Sequence, residues 1–416
     1  NIFIAGDVAS WEVETSGTGD VTIGGDVLGN FLYEDGLGSD VSIGGSVAGY
    51  VRFDSNLGGE GGLNGDFSAE SIDGSDGGDR SFYAENITGN VNIDDGIAGD
   101  FEVGTAFAFD PFFNGNLNLD ADGDGTGEAG GGDIEIVGEF SSDLTLGRLT
   151  TPHEVLVDDW DGGTVTVGGA DAIGANELVL DADWDDDDTG HITQINITDG
   201  DDGFGFTVFQ LSVHVGDGGL TGGISFVTDD DDELDLALLS NGDVGAITTE
   251  GTGDNDLNLI PDFAGTFNVD GIDIAGDFGS STAIDVNSDD PDSDLTQAVT
   301  VGADIRADGN IGDILVGGSI YDISGNSGNG FRDLHIVADD DIDGTGGDID
   351  SVRAGLGGGT GEIVDTNIVA FGSAVGSVMT KVTQWDGSQL VDYNIASTNA
   401  ATTADVRWAF GDTGAT

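Results

Sequence analysis

Residues 21–38 read VTIGGDVLGNFLYEDGLG, and residues 41–58 read VSIGGSVAGYVRFDSNLG. A shift of twenty residues lays one on the other. Val21 meets Val41, Ile23 meets Ile43, Gly24-Gly25 meets Gly44-Gly45, and Val27 meets Val47. Phe31 meets Val51, Tyr33 meets Phe53, and Leu37-Gly38 meets Leu57-Gly58. Apolar residues two apart face one side of a strand, and the small or polar residue between them faces the other. The Gly-Gly-Asp that follows is turn chemistry, because glycine tolerates positive φ and aspartate bonds its own backbone. Short alternating segments and glycine turns at a fixed period predict an all-β parallel β-helix, or β-solenoid, with coils of about 20 residues and almost no helix.

The pattern extends in both directions. Ile2, Ile4, Gly6, Asp7 and Val8 match Val21, Ile23, Gly25, Asp26 and Val27 at a spacing of nineteen. Leu63, Gly65, Asp66 and Phe67 follow the third copy, and Val91-Asn92-Ile93 with Ile97 and Phe101-Glu102-Val103 form a related rung. Regular coils are therefore expected over 1–104. Residues 105–133 read as an excursion, with Phe107, Phe109, Phe112 and Phe113 crowded around Pro111 ahead of a Gly/Asp-rich loop. Residues 134–240 keep β alternation and acidic runs but lose the strict period. A second repeat form, as in Asn310-Ile311-Gly312-Asp313-Ile314, Asp348-Ile349-Asp350-Ser351-Val352 and Ala374-Val375-Gly376-Ser377-Val378, predicts a resumed solenoid over 241–380. Glycine thins out over 381–416, where Lys381, Trp385, Tyr393, Arg407 and Trp408 suggest a cap or a docking segment.

Composition bounds the function. The formal charge is −73, with 8 Lys and Arg against 81 Asp and Glu, and aspartate dominates. Such a surface repels nucleic acid and anionic membranes. It also repels itself unless cations screen or bind it. Aspartate-rich turns offer hard oxygen ligands to divalent cations, calcium foremost, while a high-salt habitat is the alternative. Cysteine is absent, so no disulfide or thiol chemistry exists. No apolar run reaches the length of a membrane span, and the chain opens directly on an alternating segment, Asn1-Ile2-Phe3-Ile4, as a processed N-terminus would.

The strongest candidate for site chemistry is Asp120-Ala-Asp122-Gly-Asp124-Gly125-Thr-Gly-Glu128. Carboxylates at positions 1, 3 and 5 with glycine at 6 put three oxygens on one side of a tight loop. The stretch resembles the calcium loop of the EF-hand and dockerin families over nine residues. It departs from it at position 12, where Gly131 replaces the bidentate glutamate, so Glu128 is the expected further ligand. The metal ligands expected are thus Asp120, Asp122, Asp124 and Glu128, holding calcium. Further acidic runs, among them Asp181, Asp183 and Asp185–Asp188, Asp229–Glu233, and Asp339–Asp341, are weaker candidates. Gly358-Gly359-Thr-Gly361-Glu362 approximates a calcium-roll nonapeptide without a tandem array, and Asn86-Ile-Thr88 and Asn196-Ile-Thr198 are glycosylation triplets. His153, His191, His214 and His335 lack metal-ligand spacing, and no serine elbow or phosphate loop is present. Thr164-Val-Thr166 is isolated, which argues against the flat threonine arrays of ice-binding solenoids.

The Gly-Gly-Asp-Val/Ile repeats and the composition resemble bacterial and archaeal cell-surface β-solenoids: S-layer components, adhesins and extracellular fibre subunits. That resemblance implies a secreted or surface-displayed structural protein with no catalytic residues. It would assemble head-to-tail or laterally with copies of itself, with calcium at its acidic turns, and strand edges at both ends would serve the stacking. The alternative is a polysaccharide-binding or polysaccharide-cleaving β-helix with cell-surface polysaccharide as partner. Trp160, Trp184, Tyr33 and Phe53 would then line a sugar groove.

Overall fold

The structure is a computed structural model of the 416-residue chain. It describes residues 1–249 with breaks at 14–17, 35, 54–61, 77–79, 105–111, 120–127, 130–132, 150–152, 169–175, 184–189, 199–207, 228–232 and 241. From residue 250 onward it describes strand residues alone. The described residues are all-β with parallel pairing and contain no helix. The chain divides into two compact units, Asn1–Ile192 with Asn196–Gly200, and Thr193–Ile195 with Asp201–Thr416.

In the first unit each coil has four sides. One side is a ladder of short strands: Ile2–Ile4, Val21–Ile23, Val41–Ile43, Phe67–Ala69, Val91–Ile93, Leu117–Asn118, Leu144–Leu146 and Thr164–Gly168. Val21 pairs with both Ile2 and Val41, the repeat partners read from sequence. The opposite ladder holds Trp11–Val13, Phe31–Tyr33, Val51–Phe53, Arg80–Ala84, Asp100–Val103, Ile134–Phe140, His153–Trp160 and Asn176–Asp181. The two remaining sides are held by single-residue bridges in the early coils and by short strands in later ones, Gly96–Ile97, Glu128–Ala129 and Arg148–Leu149 on one and Ile87–Thr88 with Phe112–Asn114 on the other. Val8, Val27, Val47, Ile72 and Ile97 bridge on one, and Leu37, Leu63 and Ile87 on the other.

The twenty-residue coil is therefore two ten-residue halves. Val21–Ile23 followed by Val27 is repeated across the coil by Phe31–Tyr33 followed by Leu37. Gly36, with φ +76°, makes the turn in the second half that Asp26 makes in the first. Coil length is not constant. Corner-to-corner hydrogen bonds span 19 and 20 residues in the early coils and 26, 24, 26, 27 and 21 in later ones. The rungs of the first ladder stay paired across coils of different length. Within 105–133, Phe112–Asn114, Leu117–Asn118 and Glu128–Ala129 are rungs.

The interior of this unit is filled by like residues stacked on like. Val21, Val41, Phe67 and Val91 form one column, and Val27, Val47 and Ile72 another, each at most 1% exposed. Aromatic rings run through the second ladder: Phe31–Phe53 at 6.0 Å, Phe53–Phe82 at 5.9 Å and Phe82–Phe101 at 4.7 Å between centroids. The contacts continue through Phe113 and Phe140 to Trp160. Tyr33, Phe53 and Trp160 are 3%, 0% and 0% exposed. This corrects the sugar-groove expectation: their places in the alternation direct them to the core. Trp184 lies outside the described residues.

The second unit repeats the parallel arrangement. Ile311, Ile349 and Val375 pair in register, as do Ile314, Val352 and Val378. These are the apolar positions of the second repeat form. Facing strands Val208–Val215, Glu233–Ser240 and Asp254–Pro261 pair in turn. Residues 211–215 are buried on both faces, with Val213 and His214 at 0% and 1% exposure. In the last segment, Asp405–Phe410 pairs parallel with Val375–Val382.

Candidate functional site

The calcium loop expected from sequence lies mostly beyond what can be described. Asp120, Asp122 and Asp124 are outside the described residues. Glu128 is in the strand Glu128–Ala129, whose backbone pairs Glu128 with Gly96 and Arg148. Among the described residues, no three His, Asp or Glu side chains converge as a metal site.

What the structure does assemble is a ladder of carboxylates and carboxamides at one corner of the first unit. The residues just before the six strands from Val21–Ile23 to Leu144–Leu146 are Asp20, Asp40, Asp66, Asn90, Asn116 and Asp143. From Asp66 to Asp143, the main-chain N–H of each donates to the side-chain oxygen of its counterpart in the coil before. Asp66 N–H donates to Asp40 Oδ1 at 3.0 Å, and Asn90 N–H to Asp66 Oδ1 at 2.8 Å. Asn116 N–H donates to Asn90 Oδ1 at 3.0 Å, and Thr164 N–H to Asp143 Oδ1 at 2.7 Å. A one-carbon stem carrying an sp² oxygen reaches one coil and no further, so Asp and Asn serve equally as acceptors. They differ in charge. Asp20, Asp40 and Asp66 stack as consecutive carboxylates, whereas the Asn90 Nδ2 donates back to Asp66 Oδ1 at 3.3 Å. A second, shorter run joins Asp7, Asp26 and Ser46 in the same way, at 3.1 and 3.2 Å.

Coils stack about 4.8 Å apart. Unit charges at that spacing repel by about 1 kcal/mol in bulk water and by several-fold more where the effective dielectric is lower. The corner thus binds the backbone together and stores repulsion at once.

A second cluster occupies the outward side of the second ladder. Arg52, Tyr83, Glu102 and Glu135 are consecutive outward positions in register. The Arg52 and Arg80 guanidinium carbons stand 5.6 and 5.4 Å from the Tyr83 ring centroid. Arg80 Nε pairs with Glu102 Oε2. Burial pushes the Glu102 carboxyl above its ordinary value of 4.5, with Arg80 opposing the rise. Arg80 is also tied to the turn before it, its N–H donating to Asp76 Oδ1 at 3.3 Å. Sequence reading missed this cluster because unequal coil lengths hide the alignment of Arg52 with Tyr83. Its signal was the scarcity of cations, two of which fall within thirty residues of each other.

The histidines remain dispersed. His153 and His214 are buried in separate units, and His191 Nδ1 lies 3.8 Å from Asp161 Oδ1. Among the described residues, no helix is long and apolar enough to cross a membrane. A scan of family models, a search of curated proteins and a search of solved structures each return no match.

Proposed function

We propose that the protein is a structural β-solenoid of the secreted or cell-surface kind, which assembles with copies of itself and relies on cations, calcium foremost, to offset its carboxylates. The observation that carries this reading is the corner ladder. The same side-chain-to-backbone bond recurs from Asp40 through Asp66 and Asn90 to Asn116, so the repeat is spent on stacking. Carboxylates held one coil apart by their own hydrogen bonds cannot separate to relieve repulsion. Counter-ions between them are the available relief.

The test is light scattering and negative-stain microscopy in calcium and then in EDTA, at fixed ionic strength. Ordered fibres or sheets that form in calcium and dissolve in EDTA are expected. A monomer indifferent to both would overturn the reading. That outcome would favour polysaccharide binding or cleavage, for which the Arg52–Tyr83–Arg80–Glu102 cluster is the supporting observation, with retention and depolymerisation assays as its measure.

A further inference from the structure

Two triplets, Asn86-Ile87-Thr88 and Asn196-Ile197-Thr198, have the form Asn-x-Thr with no proline between. In an extended chain, residues two apart fall on one side, so the Asn and Thr of such a triplet share a face. Both triplets are extended. Asn86 and Thr88 bracket the bridge to Leu63: the Asn86 carbonyl accepts the Leu63 N–H at 2.9 Å, and the Thr88 N–H donates to the Leu63 carbonyl at 2.7 Å. Asn196, Ile197 and Thr198 close the strand Gln194–Thr198. Ile87 and Ile197 are each 0% exposed and fill the core. Thr88 and Thr198 are exposed, and Asn86 and Asn196 are half-buried. The same unit thus occurs twice, with its apolar member inside and its carboxamide and hydroxyl residues together on the outer side.

Other asparagines of the first unit are committed to stacking. The Asn90 and Asn116 side chains accept main-chain N–H groups in the corner ladder, and the residue two further on is Asn92 or Asn118, neither of which carries a hydroxyl. The two asparagines followed by threonine stand outside that ladder. Beside Asn86, the coil before presents Gly62, where a Cβ would lie 3.1 Å from the Asn86 Cβ. The adjoining coil therefore sets no side chain against the stem of Asn86 on that side. In the strand of Asn196, the outward neighbours Gln194 and Thr198 are uncharged.

We infer that Asn86 and Asn196 carry N-linked glycans. The inference rests on the secreted or cell-surface reading, because the sugar donor, a lipid-linked oligosaccharide diphosphate, is met by exported chains. In the transfer, Asn Nδ2 forms a bond to C1 of the first sugar, and the bond from C1 to the diphosphate oxygen breaks. The lipid diphosphate leaves with that electron pair, the amide nitrogen gives up one proton, and nothing is oxidised or reduced. The threonine hydroxyl two residues on is what the transferase reads. A glycan is bulky and needs an outward course from the folded chain, which both positions provide. At Asn86 it would cover the side of the coil bridged by Leu37, Leu63 and Ile87, so that contacts between copies would use another side.

The test is mass spectrometry of the full chain recovered from the cells that make it, separated into cytoplasmic and exported fractions. A protease that cuts at acidic residues suits a chain with 81 of them and only 8 Lys and Arg. In the exported protein, the peptides of Asn86 and Asn196 are expected to be heavier by a glycan. Asn86→Gln and Asn196→Gln should each lose one glycan, and so should Thr88→Ala and Thr198→Ala, which keep the asparagine. Circular dichroism checks that the variants retain their β structure. Loss in a threonine variant but not in its asparagine counterpart would put the sugar on the hydroxyl and overturn the inference. A peptide at its bare mass in the exported protein would overturn the assignment at that site and leave the secreted reading standing. Protein confined to the cytoplasm would overturn both.

Discussion

Burial and an ion pair act on Glu102 in opposite directions, and burial wins. Its carboxyl is pushed above 4.5 although Arg80 pairs with it. Between 4.5 and the raised value, the folded protein holds a proton that the unfolded chain has released. The extra stability is therefore present below 4.5 and is lost as pH rises through the folded value. Glu102→Gln removes that dependence. Urea unfolding of both proteins across this range should show the wild type losing stability relative to the variant as pH rises. A difference that stays constant with pH would mean that the carboxyl is not destabilised by its setting. Tyr83 explains why the charge is tolerated there: two guanidiniums flank its ring and keep positive potential beside Glu102.

At the level of the element, the corner ladder makes each coil's turn depend on the next. Asp and Asn provide the same acceptor, so the choice between them adjusts charge without changing the fold. Asn90→Asp keeps the acceptor for Asn116 N–H, loses the amide donor to Asp66, and adds a carboxylate one coil from Asp66. Like charges directly opposite in a sheet are destabilising, and cross-strand pairs are worth about 0.2–1 kcal/mol. Thermal unfolding at low salt should show Asn90→Asp less stable by about that amount. The deficit should shrink as salt is added. Equal stability at all ionic strengths would show that the ladder carries no net repulsion. Insertions between strands are tolerated because a longer connection costs little extra closure entropy. The rungs Val41–Ile43, Phe67–Ala69 and Val91–Ile93 stay paired across coils that differ in length.

For the whole molecule, charge sets the conditions in which the fold holds. Each unit buries apolar columns, and the chain carries a net charge of −73. The Debye length is about 8 Å at 0.15 M salt and about 3 Å at 1 M, against a coil spacing of about 4.8 Å. Physiological monovalent salt therefore does not screen one coil from the next, and molar salt does. Unfolding followed by circular dichroism in EDTA should give a Tm that climbs steeply between 0.1 and 1 M NaCl. Millimolar calcium should reproduce much of that gain at 0.1 M if cations bind rather than screen. A Tm independent of both would mean that repulsion is already compensated within the chain.

The solenoid was legible because its determinants are local. Alternation in Val21–Ile23 and Val41–Ile43, the glycine turns and the twenty-residue shift specify strands that must stack on their own repeat. The inward direction of Val27 and Val47 follows from the same pattern. Other features depend on which coil lies above which, and unequal insertions hide that from a linear reading. The alignment of Arg52 with Tyr83 and Glu102 is one such feature. Sequence alone determined that the chain would coil and that its charge would need an answer. Tertiary stacking decided which side chains share a face, because lateral neighbours in a solenoid are set by coil length rather than by distance along the chain.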